Sequence, residues 1–110
     1  MNPIKIPKSF YLFGEKIQVT FSETYFGSEN PMGLGFCSYR ENKIYLRPSS
    51  ESWPLSQDQI EQTFCHELMH MIIVHSQDTL KDHENLHDNE GFINISASLL
   101  HQALATMEYE

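Results

Sequence analysis

Ser56-Gln57-Asp58-Gln59-Ile60-Glu61-Gln62-Thr63-Phe64-Cys65-His66-Glu67-Leu68-Met69-His70 is the stretch on which the reading of this chain turns. It opens with the signals of a helix start. Ser56 with Gln59 three residues on forms a capping box, and Leu55 with Ile60 forms the hydrophobic staple across it. Ile60, Phe64, Leu68, Met71 and Ile72 then recur at helical spacing and define a buried stripe. No Gly or Pro interrupts the segment from about Gln57 to Ser76, so the pattern predicts one continuous helix. His66 and His70 fall on the flank of the stripe, where a helix borders a cleft. Residues at i and i+4 of an α-helix lie one above the other on the same face. Two imidazoles so placed can close on one zinc ion at about 2.0–2.1 Å. Glu67 sits off that face, poorly placed as a ligand but able to reach a metal-activated water as general base. Either histidine alone reads as a polar surface residue; the pair with its glutamate favours the metal.

A catalytic zinc needs a third protein ligand and an open position. The candidates downstream are His75, His83, His87, Asp88 and Glu90. The long pattern HExxHxxGxxH fails, because its glycine position holds Ile73 and its last histidine position holds Ser76. His75 comes one residue early, which turns its ring about 100° away; it reads as a helix C-terminal residue facing the dipole. A second helix is predicted from about Asn89 to Met107, capped by Asp88 or Asn89. Phe92, Ile95, Leu99 and Ala103, with Ile93, Ala97, Leu100, Leu104 and Met107, give it a broad apolar face. Glu90 falls in its first turn, where the macrodipole favours negative charge. A glutamate there, facing the HExxH helix, resembles the gluzincin arrangement and makes Glu90 the preferred third ligand. A purely dipolar role for Glu90, or a loop histidine such as His87 as ligand, stays open.

The run Cys65-His66-Glu67-Leu68-Met69-His70, then Asn89-Glu90-Gly91-Phe92, then Leu99-Leu100-His101-Gln102-Ala103-Leu104, resembles a small zincin. It is similar to the ImmA/IrrE-type metallopeptidase domain and its compact phage and prophage relatives, over about residues 56 to 107. The resemblance implies His66, His70 and Glu90 as zinc ligands and Glu67 as the base. The extra His83 and His87 depart from that pattern. They keep alive a resemblance to SprT-like proteases, in which His87, followed by Asp88, would be the third ligand.

Charge separates these two. The chain has a formal net charge of −8, seven Lys plus Arg, and no Lys or Arg after Lys81. Affinity for nucleic acid rests on neutralising phosphates with Lys and Arg, so a DNA-associated role is disfavoured. The same balance disfavours an anionic membrane surface and suits a neutral or basic polypeptide substrate. No stretch approaches the roughly 18 apolar residues of a membrane span. The prolines of Met1-Asn2-Pro3-Ile4-Lys5-Ile6-Pro7-Lys8 argue against a signal peptide. Two cysteines, Cys37 and Cys65, are too few for a disulfide framework, and Cys65 reads as a free, buried thiol. These features predict a cytoplasmic protein. With 110 residues and 40% apolar content, one domain over residues 1–110 is expected.

The N-terminal half reads as strands: Ser9 to Phe13, a Gly14-Glu15 turn, then Lys16 to Phe21 with Ile17, Val19 and Phe21 alternating. Gly33 to Tyr39 and Lys43 to Leu46 form a second hairpin around Arg40-Glu41-Asn42, and Tyr25 to Pro31 reads as a loop. The predicted fold is α+β and zincin-like, with a small antiparallel sheet packed on the HExxH helix and a second C-terminal helix. In a zincin the edge strand of such a sheet pairs with an extended substrate. Gly33 and Gly35 either mark close backbone approach at that edge or merely allow a loop. Tyr45, His101 and Tyr109 read as packing or surface residues.

The expected function is zinc-dependent peptide hydrolysis with one zinc per chain and Glu67 as general base. Two other classes compete. One is a catalytically silent zinc-binding regulator or phage accessory protein. The other is a structural site closed by a fourth ligand, for which His87 or Asp88 is available.

Overall fold

A computed structural model describes residues 3–23, 33–76 and 89–109. The described elements are β1 (Ser9–Leu12), β2 (Glu15–Phe21), β3 (Gly35–Ser38), β4 (Lys43–Leu46), α1 (Gln57–His75) and α2 (Glu90–Thr106). The architecture is α+β, a four-stranded sheet with two helices. The loop expected from Tyr25 to Pro31 lies outside the described residues.

β1 and β2 pair with Leu12 opposite Glu15, so the loop between them is Phe13-Gly14, one residue earlier than expected. Both loop residues have positive φ, 50° and 79°, as the turns that match the twist of a tight hairpin require. The second hairpin closes over Tyr39 to Asn42, and Asn42 takes the left-handed conformation (φ 56°) that an Asn side chain tolerates.

The sheet is mixed, not antiparallel as expected. Its order is β1-β2-β4-β3, and β2 runs parallel to β4, Gln18 opposite Lys43 through Phe21 opposite Leu46. Alternation of apolar residues fixes which face of a strand is buried but not which arm of a hairpin docks on its neighbour. Here the second arm docks, and β3 becomes an edge.

Ile17, Cys37, Ile44 and Leu46 of the sheet meet Phe64, Cys65 and Met71 of α1 and Ala97 of α2 in one buried cluster. Phe10 meets Phe64 edge-on at 6.3 Å between ring centres. The capping box at Ser56 and Gln59 forms as expected, with Ser56 Oγ accepting from Gln59 N and Gln59 Oε1 accepting from Ser56 N. Of the expected stripe on α1, Phe64 and Met71 are buried while Ile60, Leu68 and Ile72 are half-buried; Glu61, Cys65, Glu67 and Ile73 complete the inner face. On α2 the buried line is Ile93, Ala97, His101 and Ala105, while Phe92, Ile95 and Leu99, and Met107 just beyond the helix, stay exposed. The inner face of α2 is thus narrower than its apolar composition suggests.

Glu61 and His101 form a buried bridge between the helices, His101 Nε2 donating to Glu61 Oε1 at 2.7 Å. Burial alone would raise the Glu61 carboxyl, but hydrogen bonds from His101, Gln57 and the Ile4 backbone outweigh it and hold the group below its ordinary 4.5. A carboxyl depressed in the folded state contributes stability above its unfolded value and loses it as pH falls. Glu61→Gln is expected to cost about 1–3 kcal/mol at neutral pH. Its melting temperature should then fall less steeply than the parent's between about pH 5 and pH 3, measured by thermal denaturation across that range. Parallel pH profiles for the two proteins would contradict this account.

Candidate metal centre

α1 positions the two motif histidines and α2 the glutamate. Asn89 caps α2, its side chain accepting from Phe92 N at 3.0 Å, which places Glu90 at the first helical position. Glu61 meets His101 at one end of the helix pair while His66 and His70 meet Glu90 at the other, so α1 and α2 run antiparallel.

His66 Nε2 and His70 Nε2 are 3.2 Å apart. Glu90 Oε2 lies 3.3 Å from His66 Nε2, and Glu90 Oε1 lies 3.3 Å from His70 Nε2. Among the described residues these three form a group whose donor atoms could hold a metal, all within 4.8 Å of one another. Tetrahedral zinc with bonds of about 2.0–2.1 Å sets its ligand atoms roughly 3.3–3.4 Å apart, the edge of a tetrahedron being about 1.63 bond lengths. The separation of the two imidazole nitrogens is close to that spacing, and Glu90 turns a different oxygen to each ring at 3.3 Å, a donor set of two imidazoles and a carboxylate of the kind zinc takes. The side chains of His66 and His70 are 27% and 12% exposed and that of Glu90 60%, so the cluster opens to solvent on the Glu90 side.

Glu67 borders the sheet. It is 8% exposed and lines the same cleft as His66. Cys37 of β3 lies against it, with Sγ 3.2 Å from Glu67 Oε1 and 3.2 Å from the Glu67 carbonyl oxygen. Burial, then the Glu67 charge and its hydrogen bond, push the Cys37 thiol far up, so it stays protonated and donates. Burial also raises the Glu67 carboxyl; the Cys37 hydrogen bond and His66 pull it down, and Glu90 pushes it up. A raised carboxyl suits a group that must accept a proton near neutral pH. Cys65, beside the ligand in sequence, is a free buried thiol as expected, pushed up to about 11 by burial and by Glu61.

Gly35 marks the close approach that a strand glycine allows. A Cβ there would lie 2.6 Å from Thr63 Cγ2, 3.0 Å from Glu67 Cγ and 3.3 Å from Glu67 Oε2. The absence of a side chain at 35 and the thiol at 37, on the same inward face of β3, therefore shape the seat of Glu67. Thr63 is stiff at χ1 and cannot swing aside freely. Gly35→Ala is expected to cost about 1–3 kcal/mol by forcing β3 away from α1, read from chemical denaturation. An unchanged midpoint would mean that the strand stands farther from the helix. Gly33 has a different role: its carbonyl accepts from Arg47 Nε at 2.7 Å, while the Arg47 guanidinium stacks 4.6 Å over Trp53.

Arg47 N donates to Leu34 O, and Gly35 stands opposite Leu46. In an antiparallel ladder hydrogen-bonded and non-bonded pairs alternate. The backbone groups of Gly35 and Cys37 therefore turn to the outer edge of β3, beside Glu67.

His75 ends α1, its Nδ1 2.9 Å from Met71 O and its Nε2 3.1 Å from Glu15 Oε2, away from the cluster. Tyr45 hydrogen-bonds Glu41 at 2.9 Å, and Tyr109 is exposed. His83, His87 and Asp88 lie outside the described residues. Sequence reasoning did not find Cys37, since only the tertiary placement of β3 brings it to Glu67. The Glu61–His101 bridge did leave a signal. Glu61 falls on the inner face with Phe64 and Leu68, and a buried carboxylate needs a partner.

No helix of the described residues is long and apolar enough to cross a membrane. Family models, curated proteins and solved structures return no match to the chain.

Proposed function

We propose that the protein is a zinc-dependent metallopeptidase, with His66, His70 and Glu90 as ligands and Glu67 as general base. The observation that carries this reading is the convergence of two imidazole nitrogens 3.2 Å apart with one carboxylate whose oxygens stand 3.3 Å from each, in a group whose ligand atoms lie within 4.8 Å of one another. Three protein ligands leave a fourth position for solvent, as catalytic zinc sites have and structural sites lack.

Zinc, when bound, supplies Lewis acidity that polarises a carbonyl and makes water a nucleophile near neutral pH. The chain does the rest. Glu67, buried and steadied by Cys37, accepts the proton of the attacking water and passes it to the leaving amine nitrogen. The outer edge of β3 offers the backbone groups of Gly35 and Cys37 to an extended polypeptide, the mode of strand addition. Gly35 of that strand also stands against Glu67, which joins the edge to the base.

The resemblance to the ImmA/IrrE-type domain fits a glutamate ligand from the second helix. The acidic balance of the chain fits a soluble polypeptide substrate rather than nucleic acid or an anionic membrane, and a cytoplasmic site of action. The test is a proteome-derived peptide library incubated with zinc-loaded protein and read by mass spectrometry, with a chelated control. Cleavage that is abolished by chelation and restored by zinc is expected. Zinc-loaded protein that cleaves nothing would favour a silent zinc-binding regulator.

A further inference from the structure

Beyond the metal cluster the cleft continues one helical turn away from Glu90. Its volume is about 420 Å³, and it is lined by Gly35, by Gln62 and Thr63 of α1 and by Asn94 of α2, together with His66 and Glu67. The antiparallel helices explain the lining. Gln62 lies one turn before His66, and Asn94 one turn beyond Glu90, so the same two helix faces that converge on the metal site also converge here.

We propose that this cleft is a side-chain pocket for the substrate residue next to the scissile bond, and that it selects an uncharged amide side chain, glutamine or asparagine. This inference rests on the metallopeptidase reading of the adjoining site. Three properties support it. The volume lies at the small end of ligand pockets, room for one side chain and adjoining backbone. Among the described residues the walls carry no Lys, Arg or Asp, and their one carboxylate, Glu67, is held by Cys37. With a divalent cation at the cluster, the charges of Glu67 and Glu90 would offset it, so among the described residues these groups leave no net charge to compensate a charged substrate side chain. Gln62 and Asn94 each offer a donor and an acceptor, the pattern that a side-chain amide answers with its own acceptor and donor. Thr63 already gives its hydroxyl hydrogen to the Gln59 carbonyl at 2.8 Å, which leaves its oxygen as an acceptor. An aliphatic side chain would answer none of the hydrogen-bonding groups of Gln62, Thr63 and Asn94, whereas an amide can answer them.

The test measures binding, not turnover. Amino-acid hydroxamates carrying glutamine, leucine, glutamate or lysine side chains are titrated calorimetrically into zinc-loaded protein, with zinc content measured on the same samples. The glutamine compound is expected to bind at least about tenfold more tightly than the other three, the worth of one good hydrogen bond. Asn94 is exposed, so Asn94→Leu should fold; it is expected to keep its zinc and lose the preference for glutamine over leucine. Zinc-loaded protein that binds all four alike, or prefers leucine, glutamate or lysine, overturns the pocket assignment alone. Protein that takes up no zinc overturns the underlying reading and the pocket with it.

Discussion

The Glu67→Gln protein is expected to bind zinc at the parent's stoichiometry and to cleave peptides roughly 10²–10⁴-fold more slowly. Glutamine keeps the shape of the side chain, so the room left by Gly35 still accommodates it, and its amide oxygen can accept from Cys37. What it cannot do is take a proton from water. Glu67 also lies apart from the three donor atoms that converge, and its carboxylate faces β3. Metal content and catalysis should therefore separate in this variant. Steady-state kinetics with elemental analysis of the same preparation checks the separation. Cleavage at the parent's rate would remove Glu67 from the reaction; loss of zinc together with activity would make it a ligand.

The second large effect concerns the ligands. His66→Ala, His70→Ala and Glu90→Ala are each expected to weaken zinc binding by more than about a hundredfold. Loss of a mere outer-sphere partner typically costs 10–100-fold, and each of these removes a direct donor. His75→Ala should leave zinc affinity unchanged, because its ring is engaged by Met71 and Glu15 away from the cluster. His87→Ala should also bind zinc as the parent does, although it stands only three residues before Glu90 in sequence. Competition titration against a chromogenic chelator reads all five variants. A large loss in His87→Ala with none in Glu90→Ala would move the third ligand to the loop and bring the protein closer to the SprT-like pattern. Comparable losses in both would indicate a closed, structural site.

Much of this arrangement was legible in the sequence because it is local. The capping box at Ser56, the i,i+4 pair His66 and His70, and the cap at Asn89 that sets Glu90 in a first turn all depend on neighbours within one or two turns. The two hairpins were legible for the same reason. The neighbour order in the sheet was not, since nothing in the alternation of Ile17, Val19, Ile44 and Leu46 says that β4 rather than β3 lies beside β2. That choice governs the site. It makes β3 an edge, sets Gly35 against Glu67, and brings a thiol thirty residues away in sequence into hydrogen-bond contact with the carboxylate. On α2, Phe92, Ile95 and Leu99 are as apolar as Ile93 and Ala97, yet only the latter face the core. Composition cannot choose between two apolar faces of one helix, and tertiary packing did.

Zinc K-edge X-ray absorption on the zinc-loaded protein, with and without a hydroxamate, tests the central claim most directly. The expected sphere is two imidazole nitrogens, one carboxylate and one solvent oxygen, all at about 2.0–2.2 Å, with the solvent oxygen displaced by the hydroxamate. A sphere of four protein ligands that the hydroxamate leaves unchanged would contradict a catalytic centre, and protein that takes up no zinc would contradict the metal site itself.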